Sequence, residues 1–209
     1  MTPRGGLAIS PDDSRVILAG IEAGALLRSE DSGKSWSKHL PKSDRDCHDL
    51  KFHITDGKWA YEAGCLSGVA FSKNGGKDWQ KPKGGLGLKY GWAIAADPSR
   101  PEIWYLSAAE QGNLLRGEFI PPGHRDGQAN AHIYRRIGDA NWEQLSGGLP
   151  EPLDYMAYDL AVVPGKSGHL YAGLANGDIW FSQDFGDHWQ KMPFTVERVH
   201  NSLLVIDDV

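Results

Sequence analysis

The octapeptide Ser29-Glu-Asp31-Ser-Gly33-Lys-Ser-Trp36 returns in two further versions along this chain of 209 residues, at 72–79 and at 182–189. A sequence that repeats itself identifies an architecture more directly than any single element does. The copies share a first Ser, an Asp or Asn in third place, a Gly in fifth place and a final Trp. The twelve positions are Ser29, Asp31, Gly33, Trp36, Ser72, Asn74, Gly76, Trp79, Ser182, Asp184, Gly186 and Trp189.

Each shared residue type suits a tight reversal between two strands. The Gly supplies a positive φ, the Ser and Asp side chains satisfy free backbone N–H groups, and the Trp covers the hairpin with apolar surface. The pattern resembles the Asp-box of the bacterial-neuraminidase-repeat (BNR) proteins, the sialidase-superfamily propellers with WD40/YVTN-like repeats. The resemblance implies that these twelve residues are structural. It also implies that each box joins the third and fourth strands of a propeller blade, away from the ligand-binding face.

The repeat extends upstream of each box. Short segments rich in β-branched and aromatic residues precede it, such as 17–20 and 25–29, and Gly-bearing turns separate them. We therefore predict an all-β fold, a β-propeller of four-stranded antiparallel blades within one domain that spans 1–209. The expected blades lie at 5–41, 46–86, 89–149 with an insertion at 108–131, and 154–194, and a lone inner strand follows at 199–206.

Four blades and one lone strand make an incomplete ring, because propellers usually close by joining both ends of the chain into one blade. One explanation is that a longer protein has lost its N-terminal portion. The other is that unpaired strand edges join two copies into a homo-oligomer.

Composition narrows the class of protein. The formal net charge of −5 and the scattered Lys and Arg residues argue against a nucleic-acid partner. No segment resembles a transmembrane helix or a secretory signal, so we expect a cytoplasmic protein without a membrane partner. Cys47 and Cys65 are interpreted as reduced, buried residues. The eight His residues fall singly, and we expect neither a metal nor a cofactor.

A candidate ligand site follows from aligning the first strand of each repeat. The alignment places His48, Trp92, Tyr158 and Asn201 in one column at one mouth of the central channel, with further polar and aromatic residues beside it. The predicted ligand-binding residues are His48, Asp49, Trp92, Tyr155, Tyr158, Asp159, His200 and Asn201. The insertion at 108–131 is expected on the same face. The alternative is that the aromatic residues simply plug the channel and that His48 is a hydrogen-bonded core residue.

The functional interpretation is a non-catalytic binding or assembly module whose ligand, an unidentified protein or glycan, contacts the mouth and the 108–131 loop. No catalytic residue is assigned, because the chain lacks the Phe-Arg-Ile-Pro motif of catalytic sialidases and has no Arg in the inner column. The alternative is a glycan-acting hydrolase or lyase of sialidase-like fold whose key residues lie partly in a missing N-terminal region.

Overall fold

A computed structural model describes residues 6–65, 68–112, 114–115, 118–119, 122–200 and 203–205. This part of the chain is built from short strands and a single 3-10 turn at Pro122–His124. The strands are β1 (Leu7–Ile9), β2 (Ile17–Gly20), β3 (Leu26–Ser29), β4 (Cys47–Phe52), β5 (Ala60–Gly64), β6 (Gly68–Ser72), β7 (Tyr90–Asp97), β8 (Arg100–Ala109), β9 (Leu114–Leu115), β10 (Glu118–Phe119), β11 (His132–Ile137), β12 (Glu143–Leu145), β13 (Ala157–Val162), β14 (Leu170–Leu174), β15 (Asp178–Ser182) and β16 (Gln190–Thr195).

The strands form four successive antiparallel sheets. Their orders are β1-β2-β3, β4-β5-β6, β7-β8-β11-β12 and β13-β14-β15-β16, and β9 pairs with β10 in a small hairpin within the insertion. The first strands of neighbouring sheets lie side by side, β4 between β1 and β7, and β7 beside β13. Sheets of this kind arranged around a common axis confirm the predicted all-β propeller architecture.

The first two sheets have three regular strands each, because their fourth segments pair irregularly. Beside β3, backbone and side-chain bonds alternate. The N–H groups of Ser37 and Leu40 donate to the carbonyls of Arg28 and Leu26 at 2.9 and 3.0 Å. The Leu26 N–H donates to His39 Nδ1 at 3.2 Å and the Arg28 N–H to Ser37 Oγ at 3.0 Å. Beside β6, only Phe71 and Gln80 exchange backbone bonds, of 2.9 and 2.8 Å. Pro82 follows two residues later, and proline cannot donate to a continuing ladder.

The predicted closing strand also differs from expectation. The described residues in 199–206, which are 199–200 and 203–205, belong to no regular strand. Instead of joining a backbone ladder, the Leu203 N–H donates to the carboxylate of Asp159 on β13.

The hydrophobic core lies between the sheets. One cluster lies between the first and second sheets and includes Leu18 and Trp79. Another lies between the second and third sheets and includes Tyr61 and Trp104. The largest joins the third and fourth sheets around Trp92. The side chains of Leu7, Ile9 and Leu204 stay exposed. Association of copies through such edges remains a prediction. Among the described residues, no helix is long and apolar enough to cross a membrane.

The three octapeptides adopt the same local structure. In the first, Ser29 Oγ accepts the Gly33 N–H at 2.9 Å, and Asp31 Oδ1 accepts the Ser35 N–H at 2.8 Å. The Trp36 Nε1–H then donates to the Gly33 carbonyl at 3.0 Å. The other two copies repeat all three bonds, and the shared glycines have φ of +82°, +77° and +94°. The octapeptide thus folds by its own hydrogen bonds.

Candidate functional site at the channel mouth

Bulges mark three of the four innermost strands at equivalent places. Pairing shifts register between Cys47 and Asp49 in β4, between Gly91 and Ile94 in β7, and between Ala157 and Asp159 in β13. A bulge bends a strand and redirects its side chains. At two of these bulges, consecutive residues both make contacts around the channel. His48 and Tyr158 belong to an upper layer of side chains, and Asp49 and Asp159 belong to a lower one.

The upper layer is aromatic and holds three residues of the predicted column. The ring of Trp92 lies 4.7 Å from that of His48 and 5.4 Å from that of Tyr158, measured between centroids. Tyr90 joins them at 4.9 Å from His48. His48, Tyr90, Trp92 and Tyr158 are all buried. The structure therefore brings the predicted column together as a packed cluster, as the plug alternative describes.

His124 completes this aromatic layer from the insertion. Its Nε2 lies 2.7 Å from the Tyr90 hydroxyl and its Nδ1 lies 2.7 Å from the Tyr158 hydroxyl. The ring also crosses Trp92 edge-on at a centroid distance of 4.4 Å. Sequence reasoning missed His124 as a site residue. The available signal was that it is the single histidine within 108–131.

The lower layer is ionic. Lys51 Nζ lies 3.1 Å from Asp49 and 3.3 Å from Asp159, and it donates to the Ile94 carbonyl at 2.7 Å. Burial disfavours the charged form of Lys51, but the two carboxylates outweigh it and raise its pKa. Burial also raises the pKa of Asp159, against the opposing effect of Lys51. The lysine is therefore a cation that links the second sheet to the third and the fourth.

The two aspartates have matching backbone roles. Asp49 accepts the N–H of Leu50, its own neighbour, and the N–H of Ile94 on the next inner strand, both at 2.9 Å. Asp159 accepts the N–H of Leu160 at 2.9 Å and that of Leu203. By this correspondence, 203–205 occupies the position of a following inner strand. Asp49 and Asp159 tie adjacent segments together, because bulged strands leave N–H groups that need acceptors.

Of the remaining predicted site residues, Tyr155 lies at the edge of the mouth. Tyr155 is half-buried, and its hydroxyl lies next to Gly127 of the insertion. His200 is exposed, and Asn201 lies outside the described residues. The structure thus brings His48, Trp92 and Tyr158 together and places Asp49 and Asp159 one layer below them, whereas His200 is exposed.

A cavity of about 440 Å³ opens below the ionic layer. Lys51 lines it, and 37% of the lysine side-chain surface remains accessible there even though Nζ is surrounded by oxygen atoms. Apolar residues of β13 and 203–205 form much of the remaining wall.

Both cysteines are free and buried, as the sequence indicates.

Comparison with known proteins identifies the fold. No protein-family model and no curated protein sequence matches this chain. An ancestral GH74 enzyme superposes with a TM-score of 0.68 at 14% identity, over 90% of this chain and 23% of that chain. The GH74 xyloglucanase from Xanthomonas campestris gives 0.66 at 21% identity, over 89% of this chain and 29% of that chain. The GH74 enzyme from Niastella koreensis gives 0.65 at 14% identity, over 88% and 28%.

The chain therefore spans about a quarter of the length of these proteins. At such identities, the likeness establishes a shared fold. It does not carry residue roles from one protein to another.

Proposed function

We propose that this chain is part of a glycan-acting β-propeller protein of the glycoside hydrolase type, and that its channel mouth contacts the glycan. The observation that carries the proposal is the pair of half-buried rings, Tyr155 and His124, at the mouth of a propeller fold that this chain shares with three GH74 enzymes. Convergent aromatic and polar groups at a concave surface are typical of small-ligand sites. The resemblance of the repeats to those of sialidases concerns proteins that also act on glycans.

The glycan would contact the rim rather than the buried rings. Tyr155 and His124 are half-buried, while Arg125, Asp126 and Asp154 beside them are exposed. A tyrosine offers an apolar face and a hydroxyl to one ligand, and the charged groups supply hydrogen bonds for sugar hydroxyls. His124, Arg125 and Asp126 belong to the 108–131 insertion, which supports the proposed role of that loop.

The hydrolase alternative agrees with the fold better than an assembly module does, since the three enzymes of similar fold belong to a glycoside hydrolase family. Hydrolysis requires a carboxylic acid and a second carboxylate at the scissile bond. Asp49 and Asp159 do not suit these roles, because Lys51 and backbone N–H groups already engage them. We therefore assign glycan contact to the mouth, and the acid and base of a hydrolase would come from residues outside the two layers.

The test uses the purified full chain and three probes: xyloglucan, a sialylated oligosaccharide and dextran as the reference polymer. Isothermal titration calorimetry measures binding, and a reducing-end assay on the same mixtures measures hydrolysis. We expect binding to xyloglucan or the sialylated probe but not to dextran, and a loss of about tenfold or more for Tyr155→Ala.

Tyr171→Ala is the matched control for this experiment. Like Tyr155, Tyr171 is half-buried. It lies on β14 and stacks on Phe181, away from the mouth. Equal losses for both variants would show that the effect is structural. If the chain binds neither xyloglucan nor the sialylated oligosaccharide, the proposal is overturned. Release of reducing ends would favour a hydrolase over a purely binding protein.

A further inference from the structure

A second group of polar side chains lies beside the aromatic layer, where the first sheet meets the second. Glu22 belongs to the loop between β2 and β3, Asp46 directly precedes β4, and His48 lies on β4. One carboxylate oxygen from each acid and one ring nitrogen of His48 all lie within 4.8 Å of one another. The grouping joins two half-buried acids to one buried imidazole.

The hydrogen bond of His48 determines which ring nitrogen faces the acids. Its Nδ1 lies 2.7 Å from the Gly91 carbonyl oxygen, which can only accept, so Nδ1 carries the proton. In the neutral ring, Nε2 then has a free electron pair. It lies 3.9 Å from Asp46 Oδ1, beyond hydrogen-bond distance. A ring N–H donated to a backbone carbonyl is the usual way in which proteins orient a metal-ligating histidine.

Both carboxylates are partly accessible to solvent, and the backbone positions that of Asp46. Asp46 Oδ1 accepts the Ala23 N–H at 2.8 Å, which holds the Glu22 loop over the histidine. The Asp46 side chain is 25% exposed, whereas that of His48 is only 2% exposed. An ion could therefore enter past Asp46 and meet an imidazole that is already fixed in place.

We propose that Glu22, Asp46 and His48 form a binding site for a divalent transition-metal ion of the Zn²⁺ type. Zinc binds imidazole nitrogen and carboxylate oxygen at about 2.0–2.2 Å with tetrahedral geometry, which places neighbouring ligand atoms about 3.3–3.6 Å apart. Since the three atoms lie within 4.8 Å of one another, the group must contract by up to about 1.5 Å, and the loop of Glu22 can supply this movement. An imidazole ligand favours Zn²⁺ over Ca²⁺ and Mg²⁺, which prefer oxygen.

A buried residue helps to hold the group in place. The Cys65 backbone N–H donates to the Asp46 carbonyl at 3.1 Å, so the strand end that carries Asp46 is tied to the end of β5. This inference does not depend on glycan binding, and it replaces the expectation of no metal that single, widely spaced histidines suggest.

The test titrates Zn²⁺ into the full chain after dialysis against EDTA, with calorimetry as the readout and Ca²⁺ as the second probe. We expect one Zn²⁺ per chain and no saturable Ca²⁺ binding. Glu22→Gln and Asp46→Asn should each weaken Zn²⁺ binding by about tenfold or more, as loss of a ligand does. Glu151→Gln, which alters an exposed carboxylate elsewhere, should leave binding within about twofold.

Nitrogen-15 NMR of the imidazole resonances gives an independent readout. On addition of Zn²⁺, we expect the Nε2 resonance of one neutral histidine to shift while its Nδ1 stays protonated. Glu22 lies on a surface loop, so its variant decides the matter if Asp46→Asn fails to fold. Zn²⁺ binding that is equal in Glu22→Gln and the parent chain, or no binding at all, would overturn the proposal.

Discussion

The turns at 29–36 and 72–79 have the same hydrogen bonds, yet their tryptophans lie in different surroundings. Trp79 is 1% exposed and Trp36 is 39% exposed. Trp79 packs in the cluster that contains Leu18 and Leu26 of the preceding sheet. In the part of the chain that the structure describes, no sheet precedes the first, and Trp36 keeps a large part of its ring in solvent.

The third turn resembles the second in this respect. A Cβ on Gly186 would lie 2.6 Å from a methyl group of Leu145, just as one on Gly76 would lie 2.7 Å from a methyl group of Leu18. Each of these turns therefore rests on the sheet before it. The order of these turns therefore has two sources: the octapeptide makes its own turn, and the preceding sheet buries its tryptophan.

The largest expected effect is the loss of a buried ring. Trp79→Ala should lower the free energy of unfolding by about 3–5 kcal/mol, because it leaves a cavity between two sheets. Trp36→Ala should cost only about 1 kcal/mol, close to the value of its hydrogen bond to Gly33. Urea denaturation followed by circular dichroism measures both. Equal losses would contradict the assigned role of the preceding sheet.

A smaller difference is expected between two glycines of the same motif. Gly33 and Gly76 both have positive φ, so alanine strains either turn. Gly76→Ala must also displace Leu18, whereas a Cβ on Gly33 would lie 3.5 Å from Trp36, an ordinary contact. Gly76→Ala should therefore cost about 1–3 kcal/mol more than Gly33→Ala. Thermal unfolding of the two variants compares them, and an equal cost would show that backbone strain alone decides the effect.

The eroded turn in the third sheet offers a test of one hydrogen bond. Trp142 is buried like Trp189, but its Nε1 has no hydrogen-bond partner among the described residues, whereas Trp189 Nε1 donates to Gly186 at 2.9 Å. Trp→Phe removes similar volume at both positions. We expect Trp189→Phe to cost about 1 kcal/mol more than Trp142→Phe in chemical denaturation. The reverse order would show that the bond to Gly186 adds nothing.

The smallest expected effect is on how stability depends on acidic pH. Hydrogen bonds from Ser35, both side chain and backbone, lower the pKa of Asp31 from 3.8 to about 2. A lowered folded-state pKa stabilises the protein above the unfolded value, and this stabilisation disappears as pH falls from about 4 towards 2. Asp31→Asn makes the first turn resemble the second, which has Asn74. Its melting temperature should depend less on pH in this window than that of the parent; an unchanged slope would contradict the role of Asp31.

The strands and turns could be predicted because they depend on residues close in sequence. The octapeptide at 182–189 contains every donor and acceptor of its own turn. The inner-strand alignment likewise found His48, Trp92 and Tyr158, which the structure places in one aromatic layer. The roles of these residues in ligand binding stay predictions.

Other features of the site could not be derived in this way. His124 lies 34 positions from both of its hydroxyl partners. The Lys51–Asp159 contact spans 108 positions. No local sequence pattern indicates either contact, because residues at these separations can be close or far apart depending on how the intervening chain folds. The bulges that redirect Asp49 and Asp159 also interrupt the alternation on which strand predictions depend.

By itself, the sequence determined the repeat, the turn chemistry and the all-β architecture, because backbone hydrogen bonding and side-chain capping act within a few residues. Only the tertiary structure decided which tryptophans are buried, how His124 covers the mouth, and that Glu22 meets Asp46 and His48. These outcomes depend on how whole sheets pack, and packing joins residues whose distance along the chain carries no information about their distance in space.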